Sequence, residues 1–176
     1  MASVFLSMET SRTLIRPLSV DDVSERYLSW LNDADTKRWI LAAAVTKQLS
    51  ELKFYVAEKI RREDVLFLGI FDKHSGAHIG NIKFDPIVPQ LHAAVMGVLI
   101  GEPTYRGTGL FEEVFLPTAS WLQRHRKIEN IYLGVDESNE MAIRAYEKSG
   151  FLPIQVSFDE RQMLGNVSMA YRLPSV

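Results

Sequence analysis

Cysteine is absent from the chain, and that removes three chemistries at once: a disulfide framework, a thiolate metal site and a cysteine nucleophile. An excess of one charge is missing too. Twenty Lys and Arg stand against 22 Asp and Glu, a net charge of -2, so there is no basic stripe of the kind a nucleic-acid footprint needs. No apolar run approaches the roughly 18 residues of a membrane span, and the opening MASVFLSMETSR lacks the positive start and long apolar centre of a secretion signal. No carboxylate cluster marks a metal site, and no repeat, low-complexity tract or Pro/Ser-rich linker divides the chain. The expectations are one domain over residues 1–176, acting in the cytoplasm, with no metal, membrane or nucleic-acid partner.

What is present is apolar residue in quantity. A 176-residue chain that is 47% hydrophobic can bury one proper core without staples. Thr13 to Leu18 reads as a terminal strand ending at Pro17. Ser19 then caps a predicted helix from about Val20, whose Val23, Tyr27, Trp30 and Leu31 form a core-facing stripe. Thr46 is predicted to cap a second helix carrying Leu49, Leu52, Val56 and Ile60. Val65 to Phe71 and Ala77 to Phe84 flank DKHSG as a hairpin, Pro86 and Pro89 break the pattern, and Leu91 to Ile100 resumes it. The Gly-led helix that follows carries Phe111, Val114, Phe115, Ala119 and Leu122 on one face, with a kink or restart expected at Pro117. Strand Glu129 to Val135 follows that helix and so is predicted parallel to Leu91 to Ile100. Pro153 to Phe158 and Val167 to Leu173 end the chain as a hairpin-like pair. The class is α/β (α+β): a mixed, mostly antiparallel sheet with flanking helices.

Two stretches carry chemistry. In Gly97 to Phe111, GVLIGEPTYRGTGLF, an apolar strand runs into a glycine-rich turn and a helix start. Gly107 and Gly109 let the chain take positive φ and leave the backbone open to a ligand, with Thr108 between them and Arg106 beside them. Free N–H groups at such a helix start carry about half a positive charge and form a seat for phosphate. A tight turn whose glycines serve only geometry is the plain alternative. The second stretch, Val135 to Phe151, is VDESNEMAIRAYEKSGF. Asn139 caps its helix at a worth of about 1 kcal/mol, Tyr146 lies two turns on along the same face, and Gly150 and Phe151 end the helix and open a strand.

Together the stretches resemble the GCN5-related N-acetyltransferase (GNAT) superfamily, specifically from Gly97 to Phe151 and broadly from Thr13 to Leu173. The N-x-x-A-x-x-x-Y-x-x-x-G-F pattern is complete in Asn139, Ala142, Tyr146, Gly150 and Phe151. The R-x-x-G-x-G/A pattern has Arg106 and Gly109 but ends in Phe111. The resemblance implies a splay between the two central strands near Leu99 and Gly101. It implies acetyl-coenzyme A as co-substrate, with phosphates at Arg106, Gly107, Thr108, Gly109 and Leu110, pantetheine amides along Val98, Leu99 and Ile100, a further bond from Asn139, and the thioester near Tyr146.

The implied reaction is direct acetyl transfer to a primary amine. The amine must attack neutral. A phenol of pKa about 10 is a poor base but can protonate a departing thiolate, whose parent pKa is about 8.5, so Tyr146 is the one residue given a chemical role. Asp136, Glu137, Glu102, His78 and His92 are candidates for the base, each also readable as solvated or structural. Trp39 falls in the segment that in the family borders the acceptor, or it packs the core. The patterns YLSWLNDADTKRW, GNIKFDP and LIGEPTYRGTGL resemble the branch with ribosomal-protein alanine acetyltransferases and aminosugar N-acetyltransferases. That suggests a small amine or nucleotide-linked aminosugar as acceptor, a peptide N-terminus as the alternative, and a homodimer through the last strands. The rival class is a non-catalytic coenzyme A-binding sensor.

Overall fold

The computed structural model describes residues 6–39, 47–155 and 167–175. Thr46 lies outside them, as does the segment 156–166, which includes the end of the expected strand Pro153 to Phe158. Eight strands form one sheet in the order β1-β2-β3-β4-β5-β6-β8-β7: β1 Met8–Glu9, β2 Thr13–Pro17, β3 Leu66–Asp72, β4 His78–Val88, β5 Ala93–Ile100, β6 Asn130–Val135, β7 Leu152–Ile154 and β8 Val167–Arg172. Of the pairs, β5 with β6 is parallel and the others are antiparallel. The β3–β4 hairpin closes because the Asp72 carboxylate accepts from the N–H groups of His74 and Ser75. This is the side-chain turn mimicry for which Asp is favoured in loops.

Alternation along the strands gives the sheet two apolar faces. Ile15, Leu68, Ile70, Ile82, Phe84, Ala94 and Met96 pack under α4, Leu110–Arg126, through its Leu110, Phe111, Val114, Phe115, Ala119 and Leu122. On the opposite face Val65 and Phe67 pack with α1, Glu25–Asn32, and α3, Leu49–Arg61, through Tyr27, Leu28, Trp30, Leu31, Leu52 and Val56. Fully buried rings such as Phe84, Phe115 and Phe151 each contribute about 1.5–3 kcal/mol by leaving water. A short α2, Ala34–Trp39, follows α1, and α5, Glu140–Lys148, precedes β7.

Three local expectations are corrected. Ser19 leads only a 3-10 turn, Val20–Asp22; the α-helix starts five residues later, at Glu25, because Ser24 supplies the cap, its hydroxyl accepting from Tyr27 N–H at 3.1 Å. Pro86 does not end β4. The strand absorbs it where the register to β5 shifts between Phe84 and Ile87, at an irregularity where a missing donor is tolerated. Pro117 likewise leaves α4 a single 17-residue helix, held on both sides by the buried stripe.

The splay is real, and it opens earlier than expected. Pairing of β5 with β6 covers Ala93↔Asn130, Ala94↔Ile131 and Val95↔Tyr132 and then stops. Met96 to Ile100 stay on β4, while Leu133 to Val135 follow β8. A V-shaped gap results, with an unpaired strand edge on its β5 side.

Candidate active site

A cleft of about 870 Å³ runs through this gap. At one end lie Arg106, Gly107, Gly109 and Leu110; in the middle Val98, Leu99 and Ile100 face Gly134, Val135, Asn139 and Tyr146. At the far end, beyond the sheet, are Tyr27, Trp39, Tyr55, Asn81 and Lys83. Nine of the ten predicted site residues thus line one space; Thr108 does not.

The loop is built by backbone geometry. Gly107 and Gly109 have φ of +69° and +81°, values that L side chains resist, and a Cβ at either would meet nothing within 4 Å. Gly109 is the N-cap of α4, whose first helical bond runs from Glu113 N–H to the Gly109 carbonyl at 3.2 Å. The N–H groups of Leu110, Phe111 and Glu112 have no helical acceptor, as at any helix start. Open backbone, free donors and a helix dipole fit a diphosphate.

Arg106 lines the loop end of the cleft and makes a second set of contacts. Its guanidinium turns back on the strand end, donating to the carbonyls of Ile100 at 2.9 Å and Gly101 at 3.1 Å, so the charge also fastens the loop to β5. The Thr108 hydroxyl donates to the Tyr105 carbonyl at 2.6 Å and accepts from Arg12 at 3.1 Å.

Arg12 went unnoticed in the sequence. It also donates to the Thr108 carbonyl at 3.3 Å and, through Nε, to Glu113 at 2.7 Å. Glu113 accepts further from the hydroxyls of Thr10 and Ser11 and from Arg12 N–H. Burial alone would raise the Glu113 pKa, but these bonds outweigh it and hold the carboxyl down at about 2. Tyr105 is pinned separately, its hydroxyl donating to Asp72 at 2.6 Å. No local motif signals contacts a hundred residues apart.

Asn139 caps α5, its Oδ1 accepting from Ala142 N–H at 3.3 Å. Tyr146 lies against Phe111, ring centroids 5.0 Å apart and edge-on, and against Phe151 at 5.8 Å. Its hydroxyl has no hydrogen bond among the described residues, and burial pushes the phenol up to about 12. Phe111 is both a buried ring and a cleft wall: it is 9% exposed, stacks on Phe115 and lines the gap.

The candidate bases are otherwise engaged. Glu102 accepts from Arg26 at 2.5 and 2.6 Å and from the Trp30 indole at 3.0 Å; the Arg26 bonds hold its pKa down. The His78 ring bonds Asn81 and is walled by Tyr27, Trp30 and Phe71; burial lowers its pKa. His92 bonds the Lys127 carbonyl at the opposite end of β5. Asp136 lines the cleft with its carboxylate turned to Ser138 N–H and Oγ. Glu137 is exposed and outside the cleft lining. His74 and His78 have the four-residue spacing of a ligand pair but flank a hairpin turn, and no group of three metal-ligating side chains occurs among the described residues.

Comparison with curated protein sequences finds no match. Solved structures share the fold at low identity. RimL, a ribosomal L7/L12 alpha-N-protein acetyltransferase solved with coenzyme A, superposes with a TM-score of 0.80 at 16% identity, over 96% of this chain and 98% of that one. Spermidine N-acetyltransferase from Vibrio cholerae, solved with coenzyme A and spermine, gives 0.76 at 18%, over 92% and 96%. The ribosomal-protein-S5-alanine acetyltransferase from Vibrio fischeri gives 0.73 at 16%, over 95% and 96%. The sequence itself matches the model of the acetyltransferase (GNAT) domain across residues 12–152. With strand gap, glycine-led helix start and capped tyrosine helix all inside the matched span, the chain belongs to the GNAT family of acetyltransferases.

Proposed function

We propose that the protein transfers acetyl from acetyl-coenzyme A directly to the primary amine of a small acceptor, a nucleotide-linked aminosugar being one candidate. One observation carries this reading: the cleft is continuous from the phosphate-type loop, through the gap, to a second chamber on the α1–α3 side of the sheet. Two substrates can then meet at the gap from opposite faces.

In this reading the N–H groups of residues 107 to 110, with the α4 dipole, hold the diphosphate, and the free edge of β5 over Val98 to Ile100 pairs with the pantetheine amides as it would with a strand. Arg106 keeps loop and edge in one geometry. Asn139 fixes the start of α5, which presents Tyr146 to the cleft. The neutral amine attacks the thioester carbonyl and forms the carbon–nitrogen bond, the carbon–sulfur bond breaks, Tyr146 protonates the departing thiolate, and the proton shed by the nitrogen passes to solvent, from which the Tyr146 phenolate is reprotonated. A homodimer belongs to the same proposal, supported by the short edge strand β7 and its exposed Leu152.

Release of free thiol is the test, with acetyl-coenzyme A and a panel of simple amines, aminosugar nucleotides and N-terminal peptides. Turnover on small amines is expected. Turnover confined to peptides would move the acceptor to protein N-termini, and coenzyme A binding without any turnover would make the protein a sensor.

A further inference from the structure

The far chamber contains a charge cluster that the acetyl-transfer reading does not use. Asp85, 5% exposed, is surrounded by three cations: Lys59 at 2.5 Å, Lys83 at 3.4 Å and Arg62 at 3.5 Å. Arg62 also pairs with Asp64 at 2.6 Å, so three cations face two carboxylates and the cluster keeps one surplus positive charge. Lys83 is the one of these cations that lines the cleft. Its ammonium donates to the Tyr55 hydroxyl at 2.6 Å and is partly withdrawn from water.

Lys83 faces open space at the right place. It stands opposite Gly97 in the β4–β5 register, two residues past the last β5–β6 pair. A Cβ at Gly97 would meet nothing within 4 Å, so nothing stands between Lys83 and the gap on that register position. Two residues away along the same face is Asn81, 3% exposed and also in the cleft lining. Its Oδ1 is turned to His78, and its buried Nδ2 has no acceptor. The chamber mouth adds Lys37 and Arg38 from the last turn of α2. Of the three acids among the described residues lining the cleft, Glu112 belongs to the start of α4, Asp136 is turned to Ser138, and Asp85 already has Lys59, Lys83 and Arg62 around it. A second cation would be repelled here, whereas an anion would find a charged donor and an unused neutral one.

We propose that the acceptor amine carries an anionic substituent, a carboxylate or a phosphate, and that this group docks on Lys83 beside Asn81. The inference rests on the acetyltransferase reading and narrows its substrate.

The test uses amine pairs that differ only in the anion: γ-aminobutyrate against its amide, and glucosamine phosphate against glucosamine, with spermidine as polycation. For at least one pair the anionic member is expected to have kcat/KM higher by about tenfold or more, as one charge-assisted hydrogen bond provides; which pair responds separates carboxylate from phosphate. Lys83→Met should erase the preference by raising KM for the anionic member alone. Lys83→Arg, which keeps the charge, should retain it. Equal kcat/KM within both pairs, or spermidine as the best acceptor, overturns the anion seat while the acetyltransferase reading stands. Loss of turnover on every acceptor in Lys83→Arg, together with a displaced acid limb of the pH profile, also overturns it, making Lys83 a proton acceptor. If coenzyme A binds and no amine releases thiol, the acetyltransferase reading fails and the seat fails with it.

Discussion

Replacing Tyr146 by Phe isolates one oxygen atom. The ring contacts with Phe111 and Phe151 persist, and the hydroxyl has no hydrogen bond among the described residues for the mutation to break. Stability should stay within about 0.5 kcal/mol of the parent, as for substitutions that create neither cavity nor unpaired group, and coenzyme A affinity should be unchanged. If the hydroxyl delivers the proton to the thiolate, kcat should fall by about 100-fold to 10,000-fold, equivalent to ~3 to ~5 kcal/mol of barrier. Burial shapes the pH profile as well. A phenol pushed up to about 12 remains protonated throughout the usual assay range, so the parent should show no alkaline limb from this residue below about pH 11. Thermal melts, calorimetry with coenzyme A, and single-turnover kinetics across pH provide the readouts. An unaltered transfer rate in Tyr146→Phe would refute the acid role and return the residue to the packing of α5.

Gly109→Ala meets no atom yet must adopt φ near +81°; stability should fall by about 1–2 kcal/mol and coenzyme A affinity with it, while affinity for a pantetheine fragment without the phosphates is kept. At Gly80 the situation is reversed: a Cβ would fall onto the Leu99 carbonyl oxygen, so Gly80→Ala should displace the end of β5, costing ~1–3 kcal/mol and weakening binding of the same fragment in calorimetry. The Glu113 carboxyl, held at about 2, stabilises the fold above its unfolded pKa of about 4.3. That stability, up to ~3 kcal/mol, should be lost as pH falls from about 4 towards 2. Glu113→Gln should be less stable than the parent at pH 7 and flatter across that window in denaturant titrations.

Local patterns were readable and long-range ones were not. The period-two runs gave β3, β4 and β5, the strand-helix-strand order gave the parallel pair, and Asn139 with Gly150 bounded α5, because each depends on neighbours a few residues apart. Ser19 misled since Ser24, five residues on, is an equally good cap and precedes the helix that packs. Pro86 and Pro117 misled because sheet and core on both sides outweigh one missing N–H. The Arg12–Glu113 contact and the Lys83–Asp85 cluster join strands and helices far apart in sequence, and no periodicity encodes them. Arg106 was visible as a charge, but its direction was set by the carbonyls at the end of β5.

The contact of Arg12 and Glu113 with the Gly107–Gly109 loop ties the start of β2 to the proposed phosphate seat although neither residue lines the cleft. Docking of residues 10 to 13 and occupancy of the loop then share one free energy, and linkage requires the effect to be reciprocal. A ligand that tightens the loop should slow amide exchange along β2. A fusion that peels β2 from β3 should weaken the ligand by the same factor. Strand β2 is therefore a remote gauge of occupancy, and a label placed near it would report binding without touching the chemistry.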